Sequence, residues 1–183
     1  MKDSYECEYK CLITYEQFQL LKNIYPGGTT FRQVNHYYDN AELILRQRKI
    51  SLRIRQVNHR WIFTLKVNDD DGVREIEFAV ARNSLSTKKI AKLRQEFSLP
   101  EDLEELGTLE TVRTEVPLVY GVLCIDENHY LGQTDYELEF ECPDFSEATF
   151  HEFGTILQRI DACYKQAPGK YHRFTKAFKK LKR

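Results

Sequence analysis

The chain has 183 residues, of which 42% are hydrophobic and 30% are charged, and its formal net charge is -1. This length is sufficient for a sizeable core, and we predict a single domain over residues 1–183. The near-zero net charge argues against a protein that binds duplex nucleic acid through a broad basic surface.

Membrane attachment and secretion are not expected. No apolar stretch approaches the roughly 18 residues of a membrane span, and the first residues do not resemble a signal peptide, so the predicted location is the cytoplasm. The five cysteines contain no CxxC spacing and the five histidines no HExxH spacing, so neither a disulfide framework nor a zinc site is predicted.

Alternation of polar and apolar residues predicts eight β-strands, because residues two apart in a strand share a face. The strands are placed at 4–13, 33–39, 50–57, 60–67, 73–81, 109–117, 120–127 and 134–142.

Helices are predicted between and after the strands. Thr14 and Gln17 form a capping-box sequence at the start of the first predicted helix. The helices are predicted at 15–24, 86–97, 101–106, 146–164 and 171–181, with a short turn at 41–46.

Most strands carry ionisable residues on one face and apolar residues on the other. In the opening strand, Glu6, Glu8 and Lys10 share a face. Later strands repeat the pattern with Arg53 and Arg55, with Glu75 and Glu77, with Arg113 and Glu115, and with Glu137, Glu139 and Glu141. Like charges directly opposite each other destabilise a sheet, so these rows need compensating cations beside them.

Two architectures satisfy this pattern. In a sandwich, the charged faces would contact water. In a closed antiparallel barrel of eight strands, the charges would lie inside and helices would pack on the apolar outside. The apolar stripes of the predicted helices favour the α+β barrel, because they need a hydrophobic surface to cover.

The charge types indicate the chemistry of such an interior. Arginine forks match phosphate oxygens, and the cationic set comprises Lys10, Arg53, Arg55, Lys66 and Arg113. Carboxylates suit Mg²⁺ or Mn²⁺ rather than zinc, and the acidic set comprises Glu6, Glu8, Glu137 and Glu139. Phosphate ligands beside an oxygen-held metal are typical of phosphoryl transfer.

These residues resemble the CYTH superfamily, also called triphosphate tunnel metalloenzymes. The resemblance begins with ExExK at Glu6–Lys10 and covers nearly the whole chain in order. The further motifs are YYDN (Tyr37–Asn40), LRIR (Leu52–Arg55), FTLK (Phe63–Lys66), REIE (Arg74–Glu77), TVRTE (Thr111–Glu115), CID (Cys124–Asp126), ELEFE (Glu137–Glu141) and GKYHR (Gly169–Arg173). The chain looks most like the small single-domain proteins of low-GC Gram-positive bacteria.

The resemblance implies an eight-stranded tunnel that binds a triphosphate, and it implies a role for each motif residue. Phosphate would be bound by Lys10, Arg53, Arg55, Lys66, Arg113, Lys170 and Arg173. Metal would be held by Glu6, Glu8, Glu137 and Glu139, with Asp126 beside them. Glu75 and Glu77 would place the metal or the attacking water, and Lys66 and Arg113 would stabilise charge during catalysis.

The implied function is a metal-dependent triphosphatase that uses Mg²⁺ or Mn²⁺ and acts most simply on inorganic triphosphate. Three alternatives stay open: an adenylyl cyclase, a thiamine or nucleoside triphosphatase, and a non-catalytic protein that binds polyphosphate or nucleotide. The expected partner is a small molecule that contains a triphosphate, and the protein is expected to be a monomer or a homodimer.

Overall fold

A computed structural model describes residues 1–182 of the chain. The strands are β1 (Lys2–Tyr5), β2 (Glu8–Ile13), β3 (Thr29–Asp39), β4 (Ile50–Val57), β5 (Arg60–Asp69), β6 (Gly72–Val80), β7 (Glu104–Pro117), β8 (Val122–Tyr130) and β9 (Gln133–Glu141). The helices are α1 (Tyr15–Ile24), α2 (Ile44–Gln47), α3 (Lys88–Glu96), α4 (Glu147–Arg159) and α5 (Lys170–Leu181). Within residues 1–182, none of these helices has both the length and the apolar character needed to cross a membrane.

The chain forms two compact units. Unit 1 comprises residues 1–5, 33–109 and the chain from residue 170 onward, and unit 2 comprises residues 6–32 and 110–169. Strands β3 and β7 contribute to both units. The predicted α+β class with antiparallel strands is confirmed.

Unit 1 contains strands in the order β1-β6-β5-β4-β3-β7. The ladders from β1 through β6, β5 and β4 to β3 are antiparallel. Alternate residues of β4 and β5, including Leu52, Ile54 and Phe63, form a buried core with Ile90 and Leu93 of α3. The opposite face of these strands therefore carries the charged residues.

Unit 2 contains strands in the order β3-β7-β8-β9-β2, with antiparallel ladders between β7 and β8, β8 and β9, and β9 and β2. Its core joins strand residues such as Ile125 and Leu138 to Leu21 of α1 and to Phe153 of α4. The predicted capping box of α1 is present: the side chain of Thr14 accepts from the Gln17 N–H and the Gln17 side chain accepts from the Thr14 N–H.

The opening strand is divided. Residues 4–13 were expected to form one strand, but β1 pairs with β6 and β2 pairs with β9, so the structure has nine strands within residues 1–182. Alternation predicts a strand without naming its neighbour, which explains why the sequence pattern does not show the division.

The helix predicted at 101–106 is wrong. Residues 101 and 102 form a turn, and β7 begins at Glu104. Gly107, which directly follows the predicted helix, lies inside β7 with φ +141°, and a Cβ atom there would lie 3.3 Å from the Phe174 ring. A side chain at this position would be strained and crowded, and glycine inside a strand often marks such a close approach.

Candidate functional site

The charged face of unit 2 is ordered by strand register. Arg113 on β7 lies opposite Asp126 on β8, and Asp126 lies opposite Glu137 on β9. Directly paired residues of antiparallel strands share a face, so these three side chains form one row, and Glu139 lies on the same face of β9. Asp126 and Glu137 are fully buried, and Arg113 and Glu139 are each 7% exposed.

Arg113 is surrounded by carboxylates. Its Nε donates to Asp126 Oδ1 at 2.8 Å and its Nη2 to Asp126 Oδ2 at 2.7 Å, which makes a two-point fork. It also contacts Glu139, and its Nη1 donates to Glu141 Oε1 at 3.1 Å. Burial by itself lowers the pKa of the Arg113 guanidinium. The neighbouring carboxylates of Asp126 and Glu139 together have the larger effect and raise this pKa well above its ordinary value.

The acidic residues of unit 2 fit a divalent metal. Asp126, Glu137 and Glu139 each offer a carboxylate oxygen, and these atoms lie within 4.8 Å of one another. When ionised, the three groups carry three negative charges against the one positive charge of Arg113, and a divalent cation would balance the remainder. The donor set consists of oxygen alone, which suits Mg²⁺ or Mn²⁺.

Only part of the ExExK segment lies on the face that carries Asp126, Glu137 and Glu139. Glu8 and Lys10 form an ion pair on β2, where Glu8 lies opposite Glu141 and Lys10 opposite Glu139. Glu6 lies between β1 and β2 and is half-buried. Among the described residues, the compact carboxylate group comprises the three residues of β8 and β9 and includes neither Glu6 nor Glu8.

Unit 1 carries the predicted basic residues of β4 and β5. Arg53 is 8% exposed, and its Nη2 lies 3.9 Å from carboxylate oxygens of Glu75 and of Glu77 on β6. Lys66 Nζ lies 3.2 Å from Glu75 Oε2, and Thr64 donates to Glu77 at 2.8 Å. Two cations and two carboxylates therefore form one connected set.

Arg55 lies two residues along β4, on the face of Arg53. Its Nε donates to Asn35 Oδ1 at 3.3 Å, and Asn35 lies opposite it on β3. This hydrogen bond orients the Arg55 side chain. Because the Asn35 amide is neutral, it does not offset the positive charge of Arg55.

The last helix adds two more cations to unit 1. Lys170 and Arg173 are buried at the start of α5. Tyr37 lies opposite Arg53, and its ring centroid lies 5.1 Å from that of Tyr171 on α5. Helix α5 therefore packs on the face of the unit 1 sheet that carries Arg53, and Lys170 and Arg173 belong to the first turn of this helix.

The model of the CYTH domain family matches residues 4–165, which is most of the chain. The chain belongs to the CYTH family. A Bacillus subtilis protein named "Putative triphosphatase YjbK" is 28% identical over 95% of this chain and 96% of its own length.

Two solved structures resemble this CYTH protein closely. One, described as a putative adenylate cyclase from Bacillus halodurans, has 29% identity and a TM-score of 0.86 over 95% of this chain and 99% of its own. The other, from Hippeastrum, has 24% identity and a TM-score of 0.75 over 96% of each chain, and supports the fold alone. The similarity confirms the α+β fold class and the family that the sequence motifs predict.

The burial of the CYTH motif residues excludes the sandwich alternative, in which the charged faces would contact water. Asp126, Glu137 and Arg113 of unit 2 are buried, as are Arg53 and Glu75 of unit 1. These residues were expected to be shielded from water and not to lie on a solvent-facing sheet, and their low exposure agrees with that expectation.

Sequence reasoning missed the buried contact between Asp39 and Tyr171. The Asp39 carboxylate is fully buried, and the Tyr171 hydroxyl donates to it at 2.6 Å. Both residues lie inside family motifs, Asp39 in YYDN and Tyr171 in GKYHR. No sequence pattern indicates, however, that two residues 132 positions apart are in contact. The available signal was an aspartate inside the YYDN motif, four residues after Asn35 and on the same face of the strand.

Proposed function

We propose that this CYTH protein is a metal-dependent hydrolase of triphosphates, with inorganic triphosphate as its simplest substrate. The observation that carries the proposal is the buried group of Asp126, Glu137 and Glu139, whose donor set suits a divalent metal. The name of the Bacillus subtilis relative, a putative triphosphatase, supports the same activity. We further propose a single domain over residues 1–183 and a cytoplasmic location.

The proposed phosphate ligands are the basic residues of the family motifs. They are Lys10, Arg53, Arg55, Lys66, Arg113, Lys170 and Arg173. A guanidinium presents several N–H donors in a plane and keeps its charge, so it can contact two phosphate oxygens at once. Burial of Arg53 and Arg113 would strengthen these contacts, because the local dielectric is lower than in water.

The proposed metal ligands are Glu6, Glu8, Asp126, Glu137 and Glu139, with Mg²⁺ or Mn²⁺ as the ion. When bound, the ion would neutralise charge on the phosphate oxygens. Arg113 contacts Asp126 and Glu139, so we assign it a second task, which is to hold these carboxylates in orientation.

Glu75 and Glu77 are proposed to orient the attacking water and to accept its proton. Lys66 holds Glu75 and Thr64 holds Glu77, so each carboxylate has a defined position. The water oxygen would form a bond to the terminal phosphorus, the bond to the bridging oxygen would break, and pyrophosphate would leave. Lys66 and Arg113 would stabilise the charge that develops on the leaving oxygens.

The first experiment measures phosphate release from tripolyphosphate with Mg²⁺, with Mn²⁺ and with a chelator. R53A and R55A should each lower kcat by roughly ten- to a hundredfold, because a charged hydrogen bond to the transition state contributes about 1.5–3 kcal/mol. R60A is the matched control, since Arg60 is exposed at the start of β5, and it should keep wild-type activity. A wild-type protein that binds tripolyphosphate but releases no phosphate or pyrophosphate at any tested pH would contradict hydrolysis.

Adenylyl cyclase is a second candidate, because the Bacillus halodurans relative is described as a putative adenylate cyclase. The same basic and acidic residues would bind the triphosphate of ATP, and the products would be cyclic AMP and pyrophosphate. Incubation with ATP followed by separation of the nucleotides distinguishes the two reactions. Thiamine triphosphate and other nucleoside triphosphates belong in the same assay as competing substrates.

A further inference from the structure

A buried hydrogen bond ties helix α5 to β3. The Tyr171 hydroxyl donates to Asp39 Oδ2 at 2.6 Å, and both side chains are buried. Burial raises the pKa of Tyr171 well above its ordinary value, and the Asp39 carboxylate raises it further. The hydroxyl therefore remains a donor at neutral pH.

Asp39 is itself fixed by the backbone. Its Oδ1 accepts from the N–H groups of Asn40 and Leu45, both at 2.9 Å. Its Oδ2 accepts from the Arg46 N–H at 3.0 Å as well as from Tyr171. Four hydrogen bonds fill the capacity of a carboxylate, so Asp39 is a rigid anchor between β3 and α2.

A second bond holds α5 one turn further along. Arg46 Nε donates to Thr175 Oγ1 at 2.7 Å. Tyr171 and Thr175 are four residues apart and share one face of the helix, whereas Arg173 projects from the opposite side and Lys170 lies about 120° around the axis from that face. The two bonds thus fix the rotation of α5 about its axis as well as its position.

We infer that Asp39 and Tyr171 are positioning residues, which hold α5 so that Lys170 and Arg173 are aimed at the phosphate chain of the substrate. This inference rests on the proposed function. A displaced ammonium or guanidinium loses much of its contact energy with a fixed phosphate, so the rigidity of α5 should matter for binding.

The test is calorimetric binding of tripolyphosphate to Y171F. We expect binding about three- to tenfold weaker than in wild type, because the lost bond loosens two charged contacts without removing them. Y38F is the matched control. The Tyr38 hydroxyl is also part-buried in unit 1, where it donates to Asn83 at 2.7 Å and to Glu105 of β7 at 3.5 Å. Y38F should bind like wild type, and T175V, which removes the second bond, should weaken binding in the same direction as Y171F.

A double-variant comparison separates positioning from a general loss of stability. In a K170A/R173A background, Y171F should cause little further loss of affinity, because the two side chains that it positions are absent. A further loss as large as that in the wild-type background would overturn the inference, as would a Y171F protein with wild-type affinity.

Amide hydrogen exchange supplies a readout that needs no ligand. Residues 170–182 should exchange faster in Y171F than in wild type or Y38F, and equal rates would overturn the positioning role. If wild type neither binds nor hydrolyses tripolyphosphate, the proposed function fails and the role of α5 in substrate binding fails with it. If wild type binds and Y171F binds equally well, only the positioning role fails.

Discussion

Arg113 and Arg32 form the same type of ion pair in two different environments. Each guanidinium forms a two-point contact with a carboxylate of unit 2, Arg113 with Asp126 and Arg32 with Glu110. The Arg32 side chain is 66% exposed, whereas that of Arg113 is 9% exposed. Exposed pairs are screened by water, and buried pairs leave an uncompensated charge when one member is removed.

We therefore predict that R113Q destabilises the protein by about 3–5 kcal/mol, because the buried carboxylates Asp126 and Glu139 lose their cation. R32Q is the matched control and should change stability by less than about 1 kcal/mol. Urea denaturation followed by circular dichroism measures both values. Equal small effects would show that the Arg113 network contributes nothing to folding.

Two glycines show that the same residue has opposite effects in a strand and in a helix. Gly107 in β7 has φ +141° and lies against the Phe174 ring of α5. Gly154 lies inside α4, and a Cβ atom there would have no heavy atom within 4 Å. An added methyl group is strained and crowded in the first position and is accommodated in the second.

G107A should lower the free energy of unfolding by about 1–3 kcal/mol, because alanine rarely adopts this backbone conformation. G154A should instead raise it by about 0.5–1 kcal/mol, since alanine restricts the unfolded chain and favours the helix. Thermal denaturation measures both changes: the Tm should fall in G107A and rise in G154A. A stabilising G107A would mean that β7 and α5 separate easily.

At the scale of the whole molecule, stability and binding are coupled. The protein buries charged residues in both units, including Glu75 in unit 1 and Asp126 and Glu137 in unit 2. Buried like charges oppose folding unless a cation lies beside them. A divalent metal that binds the folded chain alone should therefore stabilise it by mass action.

We predict that Mn²⁺ or Mg²⁺ at about a hundred times its dissociation constant stabilises the fold by about 2.7 kcal/mol. For a chain of this length, the Tm should rise by roughly 5–11 °C. E137Q should abolish most of this rise, since it removes a buried anionic ligand, and E110Q, which alters a half-buried carboxylate paired with Arg32, should retain it. Differential scanning calorimetry with and without metal is the measurement. An equal rise in E137Q and wild type would place the metal elsewhere.

Much of the fold follows from the sequence because strand and helix periods are local properties. The alternation in β4, β5 and β9 assigns Arg53, Lys66 and Glu137 to charged faces, and Thr14 with Gln17 marks the start of α1. The order of charged motifs also predicts the family and the residue types of the candidate site. Each of these inferences depends on neighbours within a few positions of the chain.

The tertiary structure decided what depends on distant residues. The division of the opening strand results from pairing with β6 and β9, and β7 replaces a predicted helix because it pairs with β3 and β8 in the sheet. The tie between Asp39 and Tyr171 joins positions 132 residues apart. Periodicity assigns a side chain to a face but not to a partner, since partners are set by the three-dimensional packing of the elements.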